Sequence, residues 1–110
     1  MRRTEQLDQS ASVKLDASGN GTVALYCPTL ETWTVTRTAV STTTNVLEAT
    51  AVTYVGQVSP GSQLSGTYSG SLDSSDEQQQ INPGQSLLCV WTGGDPGATA
   101  TLSIFGTRLV

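Results

Sequence analysis

Short runs in which apolar and polar residues alternate, each closed by glycine or proline, constrain this chain more than any other feature. A period of two places successive side chains on opposite faces of an extended strand, whereas a surface helix needs apolar residues three and four apart. In SASVKLD, Val13 and Leu15 share one face while Ser12, Lys14 and Asp16 share the other. TVALYC likewise groups Val23 with Leu25, and ATATLSIFG sets Leu102 and Ile104 against Thr101, Ser103 and Phe105. Composition removes the competing structure: the chain carries 17 Thr and 13 Ser against a single Lys, Lys14. β-branched residues suit a pleated, half-buried surface, and the strong helix formers are scarce.

The turns divide the chain further. Ser18-Gly19-Asn20-Gly21 tolerates positive φ and predicts a hairpin between the first two runs. After Pro28, TWTVTRTAVS predicts a long third strand with Trp33, Val35, Arg37 and Ala39 on one face and Thr34, Thr36, Thr38 and Val40 on the other. Ala51 to Val55 reads as a strand closed by Gly56, and Pro60-Gly61 opens a loop. Two short strands are expected around Leu64 to Tyr68 and Glu77 to Ile81, with a loop rich in Ser and Asp between them. Asn82-Pro83-Gly84 turns the chain into SLLCVWTG, apolar on both faces as a central strand buried on both sides would be.

Seven or eight such strands, with no crossover helix to join parallel ones, predict an all-β fold: a single antiparallel, jelly-roll-like β-sandwich. An immunoglobulin-like sandwich is the alternative. A chain of 110 residues suits one domain, here residues 10–110, preceded by a polar N-terminal arm over residues 1–9. That arm, MRRTEQLDQ, is expected to order on assembly, with Arg2, Arg3 and Leu7 as assembly contacts and Arg37 as a further one.

Charge and residue types exclude several functions. A net charge of −4 argues against a nucleic-acid partner, which calls for clustered Lys and Arg. No apolar run is long enough to span a bilayer, and the N-terminus lacks the apolar core of a secretory signal, so a soluble protein made in a cytoplasm is expected. Without histidine there is no Ser-His or Cys-His pair and no ordinary zinc site, so neither a catalytic residue, a metal nor a cofactor is expected. Asp73, Asp76 and Glu77 are close in sequence but lack a calcium-loop register, and a solvated loop describes them better. Cys27 and Cys89 fall in apolar strand patterns and are expected to be reduced and buried. Trp33 and Trp91 are assigned to the core, which leaves Tyr54 and Tyr68 as candidate contacts for a glycan.

The segments SASVKLDASGNGTVAL, ETWTVTRTAVSTTTNV and GQSLLCVWTGGDPGATATLSIFG resemble small virion proteins of tailed phages that infect actinobacteria. The resemblance runs from Ser10 to Gly106 and rests on the order of these motifs, not on a catalytic signature. It implies a non-enzymatic structural role on the virion exterior, foremost as a decoration protein on the capsid. A minor tail protein or a module adhering to host-surface glycans is the alternative. The partners it implies are the major capsid protein or tail proteins, together with copies of the chain itself, a trimer being favoured.

Overall fold

Among the described residues eight strands form, most of them where the alternation places them, and they stack as two antiparallel sheets. The computed structural model describes residues 3–44, 46–47, 49–57, 68–69 and 72–110, without the side chains of 68, 69 and 72–77. The strands are β1 (Thr4–Lys14), β2 (Gly21–Tyr26), β3 (Thr32–Thr42), β4 (Thr50–Val55), β5 (Tyr68–Ser69), β6 (Leu72–Ile81), β7 (Ser86–Thr92) and β8 (Thr99–Leu109). The first sheet runs β1-β8-β3-β6 and the second β2-β7-β4-β5.

This order is that of a jelly roll. β1 pairs with β8, β2 with β7, β3 with β6 and β4 with β5, the nesting produced when one long antiparallel hairpin is rolled up on itself. The immunoglobulin-like alternative, with its ABED and CFG sheets, does not fit it.

The expected hairpin between the first two runs does not form, because β1 and β2 belong to different sheets. The turn itself is as the sequence suggests. Gly19 has φ 76°, the Asp16 carboxylate accepts from the Ser18 and Asn20 amides at 2.8 and 3.0 Å, and the Asp16 amide donates to the Asn20 carbonyl at 2.9 Å. It reverses the chain without deciding which strand the returning segment joins; distant partners β8 and β7 decide that. A Cβ on Gly19 would also collide with the backbone of Gly94, whose amide donates to the Gly19 carbonyl at 3.0 Å.

The expected N-terminal arm is a second correction. From Thr4 onward these residues belong to β1, in unbroken register with β8 from Thr4↔Leu109 to Lys14↔Thr99. The sandwich therefore begins well before Ser10. Leu7, expected as a docking residue, is 1% exposed and lies in the core. The segment's polar composition misleads because it supplies the outward positions, while Leu7 alone marks the inward face.

β3 departs from strict alternation. Its pairing with both β8 and β6 shifts between Val35 and Arg37, a bulge that leaves Thr36 without a register partner. Trp33 and Val35 point inward before the bulge, Thr38 and Val40 after it, so Arg37 does not share the face of Trp33. Gly106 sits opposite Val35, where a Cβ would collide with the Thr34 carbonyl oxygen. Only glycine lets β8 approach the bulge this closely.

Two further expectations are revised. β7 is central in its sheet but buries one face: Leu87, Cys89 and Trp91 are fully enclosed, while Leu88 and Val90 are half-buried on the outside. The stretch read as a loop around Asp73 and Asp76 lies within β6; Tyr68, expected in a strand, lies in β5, and Leu64 is outside the described residues.

Both tryptophans fill the core, with Trp91 at 0% and Trp33 at 3% exposure, among Leu7, Leu15, Val23, Val35, Ile81, Leu102 and Ile104. Both cysteines are buried and free. Burial pushes the Cys27 thiol up and the Cys89 thiol up to about 12, so both stay protonated and unreactive near neutral pH.

Trp91→Ala should cost about 3–5 kcal/mol by removing the largest enclosed side chain. Gly106→Ala should cost roughly 1–3 kcal/mol by forcing β8 away from the bulge. Denaturant midpoints check both. Deleting residues 1–9 should unfold the domain, since it removes Leu7 and half of a sheet edge; a truncated chain with the parental melting temperature contradicts this placement.

Candidate functional site

Among the described residues no cleft with convergent catalytic groups emerges, and the outer faces of the two sheets are the largest features that could meet a partner. Register fixes what each face carries. On the β1-β8-β3-β6 sheet, the outward rows across β1, β8 and β3 read Gln6–Thr107–Thr34, Asp8–Phe105–Arg37, Ser10–Ser103–Ala39 and Ser12–Thr101–Ser41. This face is dominated by hydroxyls; Ser12 and Thr101 hydrogen-bond across it at 2.8 Å. Across β1, β8 and β3, Phe105, 38% exposed, is the one large apolar residue of these rows.

The opposite sheet carries a different surface. Its outward rows across β2, β7 and β4 read Thr22–Val90–Val52 and Ala24–Leu88–Tyr54, with Tyr26 beside Ser86 below them. None of these residues is charged. Thr22, Ala24 and Tyr26 are exposed, Tyr26 at 56%, and Val52, Tyr54, Leu88 and Val90 are half-buried. A soluble monomer seldom leaves such a continuous uncharged face open, and larger ones mark interaction sites.

The residues expected to make contacts are scattered. Arg2 lies outside the described residues, and Leu7 is in the core. Arg3 is exposed at one end of the sandwich, where its amide and carbonyl bond Val110 at 2.9 and 2.8 Å. Arg37 is exposed on the hydroxyl face, opposite Phe105 on one side and Asp76 on the other. Tyr54 belongs to the uncharged face, whereas the Tyr68 side chain lies outside the described residues, so the two are not shown to form one platform. The side chains of Asp73, Asp76 and Glu77 lie outside them as well. Among the described residues no group of His, Cys, Asp or Glu is placed to hold a metal.

Sequence reading missed two features. Tyr26 is one; its parity with Thr22 and Ala24, opposite to Val23 and Leu25, already places it outside. The other is a charged clamp at the end of the sandwich where the chain termini meet. Glu5 and Arg108 are register partners, and Arg108 also faces Trp33. Arg108 Nη2 lies 3.1 Å from Glu5 Oε1 and Nη1 3.9 Å from Glu31 Oε1; Arg3 Nε donates to Glu5 Oε2 at 2.9 Å and Trp33 Nε1 to Glu31 Oε1 at 3.1 Å. Two cations and two anions offset one another, so the cluster ties three strand ends together and offers no net charge to a ligand. Nothing local in the sequence signals it, because its members come from three separate stretches of the chain.

Two carboxyls are held below the usual range. Glu5 is lowered by its hydrogen bond from Arg3 and by the charges of Arg3 and Arg108, against the opposing effect of burial. Asp95 is lowered by the Thr44 hydroxyl and by the amides of Leu47 and Val46, which donate at 2.7 and 2.9 Å and tie the loop after β3 to the turn after β7.

No family model matches this chain, and no curated protein matches it. Among solved structures it is similar to a chain in the acidic stable capsid structure of Helicobacter pylori bacteriophage KHP30, with a TM-score of 0.63 and 12% identity over 100% of this chain and 94% of that one. A chain of infectious bursal disease virus Gx strain gives a TM-score of 0.44 at 11% identity, over 99% of this chain and 37% of that one. PliG of Aeromonas hydrophila, a periplasmic inhibitor of g-type lysozyme, gives 0.40 at 13% identity, over 93% and 85%. The first match establishes a shared fold; the other two are too distant in shape to support more.

Because the folded-state pKa values of Glu5 and Asp95 lie below their unfolded values, the stability they add is present above the ordinary carboxylate range. It is lost as pH falls through that range toward the lowered folded-state values. The melting temperature should drop over this interval, and Asp95→Asn should make the drop shallower. An equal slope in the variant would show that Asp95 gains nothing from its loop amides.

Proposed function

We propose that this chain is a non-enzymatic structural protein of a phage virion, a decoration protein held on the exterior of the capsid by the uncharged outer face of the β2-β7-β4-β5 sheet. The observation that carries the reading is the contrast between the two faces. Among the described side chains, one is built largely of Thr, Ser and Gln with scattered charge; the other presents Ala24, Tyr26, Val52, Tyr54, Leu88 and Val90 and no charge. Burial of such a face against a partner gains from the hydrophobic effect with no ion to desolvate, while the hydroxyl face stays well hydrated.

Further support comes from the jelly-roll architecture, its likeness to a chain of a phage capsid structure, and the sequence resemblance to small virion proteins of phages with actinobacterial hosts. In this reading the partner is the major capsid protein, and repetition over a lattice converts modest contacts into stable coverage. Self-association, with a trimer as the form expected from the sequence, belongs to the same reading. A minor tail protein uses the same face on a different neighbour. The presence of both Tyr26 and Tyr54 on that face favours, as the second reading, a glycan-binding module that stacks sugar rings on tyrosine.

Purified protein mixed with shells lacking it should co-sediment and saturate at hundreds of copies per particle. Ala24→Glu, at an exposed position, should lower shell affinity at least about tenfold by burying an unpaired charge, with an unchanged melting temperature. Thr107→Glu, exposed on the hydroxyl face, should bind like the parent. Saturation at tens of copies or fewer would favour the tail. Absent shell binding, together with cell-wall sugar binding that Tyr54→Ala abolishes, would replace this reading with the glycan module.

A further inference from the structure

β1 ends its sheet, so one of its two backbone edges meets β8 and the other is open. The terminal bonds fix which residues face which way. Arg3 exchanges both backbone bonds with Val110, and at the other end the Leu15 amide donates to Ala98 while its carbonyl accepts from Gly97. With no register shift between, the odd-numbered residues bond to β8, and the even-numbered ones direct amide and carbonyl to the open side. Thr4, Gln6, Asp8, Ser10, Ser12 and Lys14 are those residues, and all six are exposed. Among the described residues no backbone bond reaches them from another segment.

A long open edge is a template for pairing, and proteins usually blunt it with proline, a bulge, or charges turned inward. β1 contains neither proline nor glycine and no bulge; its one inward charge, Glu5, is confined to the end and held by Arg3 and Arg108. From Gln6 to Lys14 nothing obstructs an added strand.

We propose that this edge pairs with the same edge of a second copy, antiparallel about a two-fold axis passing at Ala11. That register sets Asp8 of one copy opposite Lys14 of the other, and Ser10 opposite Ser12, and the symmetry repeats each pair. All of these residues direct their backbone groups to the open edge, so each opposed pair exchanges two hydrogen bonds, about eight in all. Asp8 and Lys14 make no ion pair within the chain among the described residues, so both remain available to a partner. The charge match is self-complementary, as a two-fold interface requires, and it selects a second copy over an unrelated strand. The result is one continuous eight-stranded sheet whose hydroxyl face spans both copies. This inference needs only the chain itself and stands apart from the shell-binding reading; it makes the basic unit two-fold in place of the trimer expected from the sequence.

Sedimentation equilibrium of the full chain over concentrations up to about 1 mM tests it, since a dissociation constant near that value is the weakest such an experiment reads. A reversible dimer is expected. Ser10→Pro removes an amide that points only to the open edge, so it should keep the parental melting temperature and abolish the dimer. Asp8→Lys sets like charges opposite each other twice and should weaken the dimer at least about tenfold, and adding Lys14→Asp should restore it. A parent that stays monomeric overturns the proposal. So does a dimer that survives Ser10→Pro, or one indifferent to both the single and the double charge change. If Ser10→Pro does not fold, the charge exchange decides alone.

Discussion

Pairing of the first strand with the last holds this structure together. The eleven residues of β1 lie in continuous register along β8, and the ladder ends in the mutual Arg3–Val110 bonds. β8 in turn pairs with β3, and β3 with β6, so β1 completes one edge of a sheet that is built outward from the last strand. The Glu5–Arg108–Glu31 clamp and the Trp33 indole lock the same end. Contacts this distant in sequence carry a large loop-closure cost before any is rewarded, so slow, cooperative folding is the expected behaviour.

Local structure was largely legible in the sequence, and long-range structure was not. Alternation identified the inward residues of β2 and β8, and the burial of Trp33, Trp91, Cys27 and Cys89, because each depends only on side-chain parity and size. The turn at Ser18 to Gly21 was also evident from residue type. Its sheet was hidden, since turn chemistry says nothing about strands seventy residues away. Thr36 gave no warning of the bulge, as threonine suits a strand and a bulge equally; the nearest clue is Gly106, a glycine in an otherwise regular strand. Residues 4–9 looked like an arm because an edge strand with one solvated face needs few apolar residues.

The candidate surface was half visible. The apolar character of SLLCVWT on both faces was plain, and it was explained as burial on both sides. Among the described residues no further layer lies above the second apolar face: Leu88 and Val90 are half-buried on the outside beside Ala24, Val52 and Tyr54. An excess of apolar residues over what one core consumes is therefore the sequence sign of an apolar outer face, the kind of surface the proposed shell contact needs. The hydroxyl-rich sheet does the opposite, and the proposed pairing of open β1 edges would set copies side by side and leave the uncharged face free.

Imaging decorated shells at a resolution that separates the two sheets would test the central claim most directly. The expected map places a jelly roll outside the shell with β2, β7, β4 and β5 against the capsid surface and Phe105 toward solvent. Density showing the β1-β8-β3-β6 sheet against the shell, or no added density on it, would contradict the claim.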